Sequence, residues 1–257
     1  DGETLSRFGI EPSGSILLYG PPGCGKTFSI SLLPYELDID VIPFDWNRIS
    51  NNQSISREFI IPFYFNMARL HMPATIFIDQ VDQLLGNGAE DIQNTYLHQL
   101  LIEVDAMFRY NQNIILIAAT NAIWNINPAL LRYGRFNSSL FVYPPDENDR
   151  RAYIQRKIEK FNINAGSMYK KKKKTHLFSF SDLDRWINIG IKKHLAAHFY
   201  KSETAIPNLT KEVLDQALGQ CKPSTLFWFD RVLSSNNESF KMTEMYQVVH
   251  DFVAKQK

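Results

Sequence analysis

Residues Gly20-Pro21-Pro22-Gly23-Cys24-Gly25-Lys26-Thr27 form an uninterrupted G-x-x-x-x-G-K-[ST] run, directly after the apolar segment Ser15-Ile16-Leu17-Leu18-Tyr19. The context is the one a phosphate-binding loop needs: a short buried strand, a Gly-rich turn, then a helix beginning near Lys26. Glycine at 20, 23 and 25 permits backbone angles and close approaches that a Cβ would block. Successive N–H groups then converge on phosphate oxygens, helped by the positive end of the following helix. The pattern assigns Lys26 to the β- and γ-phosphates and the Thr27 hydroxyl to Mg²⁺. The candidate ATP-binding set is therefore Gly20, Pro21, Pro22, Gly23, Cys24, Gly25, Lys26, Thr27 and Phe28. A Gly/Pro-rich turn with a chance Lys-Thr after it is the bland alternative, and the preceding strand argues against it.

Composition narrows the setting. The chain has 257 residues, enough for one large domain with a small one. Lys and Arg number 28 against 27 Asp and Glu, a net charge of +1, so no overall field draws it to nucleic acid or an anionic membrane. Of the two cysteines, Cys24 lies inside the phosphate loop, where a disulfide would obstruct nucleotide. A reducing, cytoplasmic setting is the simple expectation. No apolar run approaches the ~20 residues that span a bilayer. No secretory signal opens the chain, which starts at Asp1 and reads as a possible fragment, so an upstream anchor or partner-binding region stays open.

Up to about residue 145, short runs rich in Ile, Val and Phe alternate with helical segments. The runs are Ser15–Tyr19, Asp40–Phe44, Thr75–Ile78, Asn113–Ala118 and Ser139–Tyr143; the helices are Thr27–Pro34, Ser56–His71 and Glu90–Tyr110. Such alternation predicts an α/β three-layer αβα sandwich with a parallel sheet, its ligand at the carboxyl ends of the strands. After Pro144-Pro145 the strand signals stop. Helices are predicted over Asp146–Phe161, Ser181–Tyr200, Thr210–Gln220 and Thr225–Leu233, with Asp146, Ser181 and Thr210 as N-caps. The expected division is a large domain over 1–145, an all-α lid over 146–235 and a helical tail over 236–257. That tail would pack on a neighbour or on its own domain. The lysine run Lys170–Lys174 reads as a solvated loop, too local to signal nucleic-acid binding.

A second chemical cluster is Thr75-Ile76-Phe77-Ile78-Asp79, a strand ending in a carboxylate. In a phosphate-loop ATPase this aspartate orients the Mg²⁺ shell, and an acid after it polarises the attacking water. Here the next residue is Gln80, nearly the same shape but unable to take a proton. Losing a positioned general base costs ~10²–10⁴ in rate. Gln80 is either an introduced substitution that holds ATP or the natural residue of a subunit that turns ATP over poorly. Asp82 is a possible substitute.

The third motif points to a family. Ile114–Thr120 runs into Asn121, and Leu130-Leu131-Arg132-Tyr133-Gly134-Arg135-Phe136 follows. With Phe8-Gly9-Ile10-Glu11-Pro12 ahead of the phosphate loop, the chain resembles the AAA family of ATPases. The likeness is to the protein-remodelling members around valosin-containing protein, the proteasomal ATPases and the microtubule- and ESCRT-acting members, over roughly residues 5–235. The resemblance implies a P-loop NTPase domain followed by a helical lid. It makes Asn121 the polar contact to the γ-phosphate and water. It makes Arg132 and Arg135 the arginines that reach into the next subunit's site. An arginine finger is worth ~10³–10⁵ in rate, so supply in trans ties activity to assembly. It further implies a ring, commonly a hexamer, homo- or hetero-oligomeric, that uses Mg-ATP to remodel or disassemble a protein substrate presented directly or by an adaptor. Ser179-Phe180-Ser181-Asp182-Leu183 resembles the entry to the lid helix beside the nucleotide, and Lys222-Pro223-Ser224-Thr225 with Trp228 the end of the lid.

The chain departs from the family in three places. Gln80 is the first. Polypeptide-threading members carry a pore aromatic where this chain has Asn52-Gln53-Ser54-Ile55, with Trp46 the nearest aromatic. Asn137-Ser138 stands where Asp-Arg is common. Gln80 and the missing aromatic favour a second reading, a catalytically inactive ATP-binding structural or regulatory subunit that supplies Arg132 and Arg135 to an active neighbour. A DNA-linked ATPase of clamp-loader or initiator type is a third, disfavoured by the near-neutral charge and the absence of a nucleic-acid-binding motif.

Overall fold

The alternating apolar runs become a five-stranded, all-parallel sheet in the order β2-β3-β4-β1-β5. The computed structural model describes residues 14–44, 57–85, 90–110, 113–132, 134–136, 138–159, 175–199 and 209–256. The strands are β1 (Gly14–Tyr19), β2 (Asp40–Phe44), β3 (Ala74–Ile78), β4 (Ile114–Thr120) and β5 (Ser138–Phe141). Every residue of β3 is buried, as expected of a parallel strand with another on each side. Pro43 sits in β2, an edge strand that pairs only with β3, where the missing N–H breaks no second ladder.

Helices join the strands: α1 (Lys26–Ser31), α2 (Leu33–Leu37), α3 (Ile60–Leu70), α4 (Val81–Leu85) and α5 (Glu90–Arg109). A short 3₁₀ turn, Arg57–Phe59, leads into α3. The expected helix Thr27–Pro34 is divided at Leu32, because Pro34 enters the first turn of α2, where its lack of an N–H is harmless. Leu18, Ile30, Phe77, Ile117 and Ala119 form one buried apolar cluster of the sheet. Helices α3 and α5 pack together and α3 on β3, with Phe65, Leu100, Val104 and Met107 buried. This is the P-loop α/β fold, followed by a helical C-terminal region.

That region contains α6 (Glu147–Ile158), α7 (Phe180–Phe199), α8 (Lys211–Leu218) and α9 (Ser224–Leu233). Its core joins Ile154, Ile158, Phe178, Leu183, Trp186, Leu214 and Leu218. Asp146 caps α6 in a reciprocal capping box with Asp149, as its position predicts. Thr210 holds the N-cap position of α8 but makes no side-chain capping bond. Helix α7 begins one residue before the expected Ser181. Its start is held by Ser179, whose Oγ accepts from Asp182 N at 3.1 Å while Asp182 Oδ2 accepts from Ser179 N at 2.9 Å. The tail forms α10 (Glu238–Lys241) and α11 (Glu244–Gln256). Helix α11 packs on β5, burying Met245 and Val249, with the Phe252 ring edge-on to Phe141 at 5.8 Å.

The described residues fall into two compact units. One holds those up to Gly20, those within Lys26–Val142 and those from Ser235 on; the other holds Pro21–Gly25 with Tyr143–Ser234. Among the described residues no helix is long and apolar enough to cross a membrane. Phe8–Pro12, Trp46, Asn52–Ile55, Tyr133, Asn137 and the lysine run Lys170–Lys174 lie outside the described residues.

Candidate functional site

The site begins where β1 ends. Val142 N donates to Tyr19 O at 2.8 Å, and the chain turns at Gly20 with φ +150°. A Cβ there would stand 2.4 Å from the Val142 carbonyl oxygen, so only glycine fits. Gly23 has φ +76°, and a Cβ on it would meet Ser181 Oγ at 2.6 Å and Ser179 Oγ at 3.0 Å. Ser181 N donates to Gly23 O at 3.4 Å. Gly25 also has positive φ. The glycines of the motif thus take the backbone path expected of a phosphate cradle. Pro21 and Cys24 are buried, Pro22 and Phe28 exposed, and the Cys24 thiol, in no disulfide, donates to Pro22 O at 3.9 Å.

Lys26 is buried, and its Nζ donates to the Gly20 carbonyl at 2.8 Å. Burying an ammonium is costly unless its donors are used. The bond turns the lysine back to Gly20, and phosphate oxygens would offer it stronger acceptors. Thr27 Oγ1 donates to Asp79 Oδ2 at 2.8 Å. The hydroxyl comes from α1 and the carboxylate from the end of β3, so the fold itself joins the two expected metal residues. Hard oxygen ligands from one carboxylate and one hydroxyl suit Mg²⁺, which keeps several waters and takes further ligands from phosphates. No group of three or more metal-ligating side chains occurs among the described residues, and such a site needs none.

Asp79 Oδ1 accepts from the backbone N–H of Gln80 at 2.9 Å. Gln80 is exposed and adopts a left-handed backbone, φ +52°, uncommon for a residue with a Cβ. Its Oε1 accepts from the Gln83 side-chain amide. An amide oxygen so engaged has one lone pair left. Asp82, the possible substitute for an acid, accepts from Thr120 Oγ1 at 2.6 Å. Register places the strand ends together: Tyr19 is level with Thr120, and Ile78 with Ala118. Asn121 is half-buried directly beyond β4, at the sheet end that carries Gly20 and Asp79.

The two arginines are in different circumstances. Arg132 follows the 3₁₀ turn Pro128–Leu131, whose start is capped by Asn127, and its side chain is exposed. Arg135 is folded inward. Its Nε lies 3.1 Å and its Nη2 3.3 Å from the Asp105 carboxylate, and its Nη1 donates to Ala129 O at 2.7 Å. The Arg135 carbonyl accepts from the Ser15 hydroxyl. Asp105 escaped notice in the sequence because it lies on α5, remote along the chain and in no motif.

The segments Ser179–Leu183 and Lys222–Thr225 meet at one carboxylate. Asp182 Oδ2 accepts from Ser179 N at 2.9 Å, Ser179 Oγ at 2.9 Å, Ser224 N at 3.0 Å and Ser224 Oγ at 2.9 Å. Asp182 is buried and so ties the start of α7 to the start of α9. In α6, burial pushes the Arg150 guanidinium below its usual range against the raising effect of Glu147, Asp146 and Asp149; its Nη1 donates to Pro145 O at 2.6 Å.

Comparison with known proteins agrees with this geometry. Residues 16–143 match the model of AAA, the ATPase family associated with various cellular activities. The chain is similar to the ATPase family gene 2 protein of Schizosaccharomyces pombe, 34% identical over 163 residues, 63% of this chain and 20% of that protein. It is similar to proteasome-activating nucleotidase 1 of Haloferax volcanii, 32% identical over 169 residues, 63% of this chain and 41% of the relative. It is also similar to the cell division cycle protein 48 homolog of Archaeoglobus fulgidus, 33% identical over 156 residues, 60% and 21%. The chain spans between a fifth and two fifths of the length of these relatives. With its phosphate loop, its β3 aspartate and the match over residues 16–143, this chain belongs to the AAA family of ATPases.

Proposed function

We propose that this chain is a Mg-ATP-binding module that works in an oligomeric ring, a hexamer, and couples nucleotide binding and hydrolysis to remodelling or disassembly of protein complexes. The observation that carries the reading is the meeting of Thr27 and Asp79 at 2.8 Å beside a buried Lys26, on a loop that only glycine can follow. In this reading Gly20–Phe28 hold the nucleotide, Lys26 binds the β- and γ-phosphates, and Thr27 with Asp79 holds Mg²⁺. The metal supplies charge neutralisation on the phosphate oxygens. Asn121 contacts the γ-phosphate. Arg132, exposed, is the arginine ready to enter a neighbour's site; Arg135 would have to leave Asp105 to do so. The division into large domain (1–145), lid (146–235) and tail (236–257) belongs to the same reading, as does a reducing cytoplasmic location, which rests on the thiol of Cys24 in the loop. A protein substrate or adaptor is the implied partner.

The second reading is a regulatory subunit that binds ATP, turns it over poorly and lends Arg132 to an active neighbour. Gln80 favours it, because its side chain carries no charge and its oxygen is shared with Gln83. ATP turnover against protein concentration, for this chain and for Gln80→Glu, separates the two. The remodelling reading expects Gln80→Glu to gain ~10²–10⁴ in rate, the worth of a positioned base. If both chains bind ATP and neither turns it over, the regulatory reading stands.

A further inference from the structure

Asp82 belongs to no part of the phosphate-loop machinery, yet it makes a short, specific contact. It is half-buried in the first turn of α4, directly after the β3 carboxylate, and its Oδ1 accepts from Thr120 Oγ1 at 2.6 Å. Thr120 is 1% exposed, so this hydroxyl has little access to water. It has one proton and two acceptor lone pairs. The proton goes to Asp82, and Ala122 N donates to the oxygen at 2.9 Å. The hydroxyl thus bridges the backbone on both sides of Asn121 and takes its own direction from the carboxylate. In the sheet, Thr120 is level with Tyr19, the residue before Gly20. The turn held in this way therefore projects from the strand end beside the phosphate loop.

We infer that Asp82 is a positioning residue: through Thr120 it fixes the turn that carries Asn121, and it does not stand in for the acid absent at position 80. The inference rests on the ATPase reading, in which Asn121 distinguishes ATP from ADP by the γ-phosphate. A base needs a carboxylate that can take up a proton, which asparagine lacks. A positioning group needs only an acceptor oxygen, which asparagine also has.

The test is the ratio of ATP to ADP affinity, with Mg²⁺, for this chain and for Asp82→Ala, Asp82→Asn, Thr120→Val and the double variant Asp82→Ala/Thr120→Val. Binding reads the turn without depending on hydrolysis. Asp82→Ala and Thr120→Val should each lower the preference for ATP by about threefold to tenfold, the range one hydrogen bond supplies. The double variant should lose no more than either single one, because the two groups act as a unit. Asp82→Asn should keep the ratio within about twofold of the parent, since its amide oxygen still accepts from Thr120. A fall in Asp82→Asn as deep as in Asp82→Ala would show that the charge acts directly and would overturn the inference. So would additive losses in the double variant, or an unchanged ratio in Asp82→Ala. Failure of the parent chain to bind Mg-ATP is a separate result. It would remove the ATPase reading and this role with it, while melting temperatures that add across the same variants would refute the hydrogen bond itself.

Discussion

At the scale of single residues, the phosphate loop was legible because its chemistry leaves few choices. Gly20 and Gly23 are dictated by positive φ and by atoms where a Cβ would stand. Gly23→Ala should therefore weaken ATP binding and lower the melting temperature together, since the loop must shift away from Ser181 to admit the methyl. A calorimetric scan with and without Mg-ATP checks this; unchanged values would mean the loop accepts a Cβ. Asp79 and Thr27 were legible as separate motifs, and their direct bond follows from the strand order. What the sequence hid was the occupation of side chains by remote partners. Asp82 accepts from Thr120, and Arg135 bonds Asp105. Neither partner is near in sequence, and no periodicity marks them.

Elements were legible where an apolar run had to be buried. All five strands were anticipated within a residue or two, because short runs of Ile, Val and Phe leave a parallel strand little alternative. Boundaries set by side-chain bonding were harder. The start of α7 lies at Phe180, after Ser179, because the Ser179–Asp182 pair satisfies backbone and hydroxyl at once. Asp182 accepts from two residues at the starts of two helices, so Asp182→Ala would leave the buried N–H and hydroxyl of Ser179 unpaired and untie exposed Ser224. Thermal or denaturant unfolding should show a loss of about 2–4 kcal/mol, from the ~1–3 kcal/mol that each unsatisfied buried group costs. A loss under about 0.5 kcal/mol would mean that water replaces the carboxylate, as at an ordinary surface position. The tail illustrates the other limit. Its apolar spacing was visible, but periodicity does not name a partner. In the structure α11 packs on β5, with the Phe252 ring against Phe141, and buries Val249 and Met245. Phe252→Ala should cost about 1–3 kcal/mol, less than the ~3–5 kcal/mol of a fully buried ring, and expose the tail to protease. An unchanged cleavage rate would contradict that packing.

At the scale of the whole molecule, the account rests on assembly. If Arg132 acts in a neighbouring site, the turnover of Gln80→Glu should rise more steeply than linearly with protein concentration. Arg132→Ala should then lose about 10³-fold or more, the worth of an arginine finger. Arg135→Ala in the same background should act differently: it breaks the contact with Asp105, so its effect should appear in the melting temperature as well as in rate. Equal, purely kinetic effects of the two substitutions would mean that both arginines leave their own chain. Family membership was legible from the spacing of motifs over residues 16–143. The protein partner was not, because the residues that would meet it follow no motif of nucleotide chemistry.

The central claim is that residues 20–27 and Asp79 bind Mg-ATP, and titration of this chain and of Lys26→Ala with ATP, in Mg²⁺ and in a chelator, tests it most directly. The account predicts saturable, Mg²⁺-dependent binding by the parent chain and a large loss of affinity in Lys26→Ala. No binding by the parent, or equal binding by both chains, would contradict it.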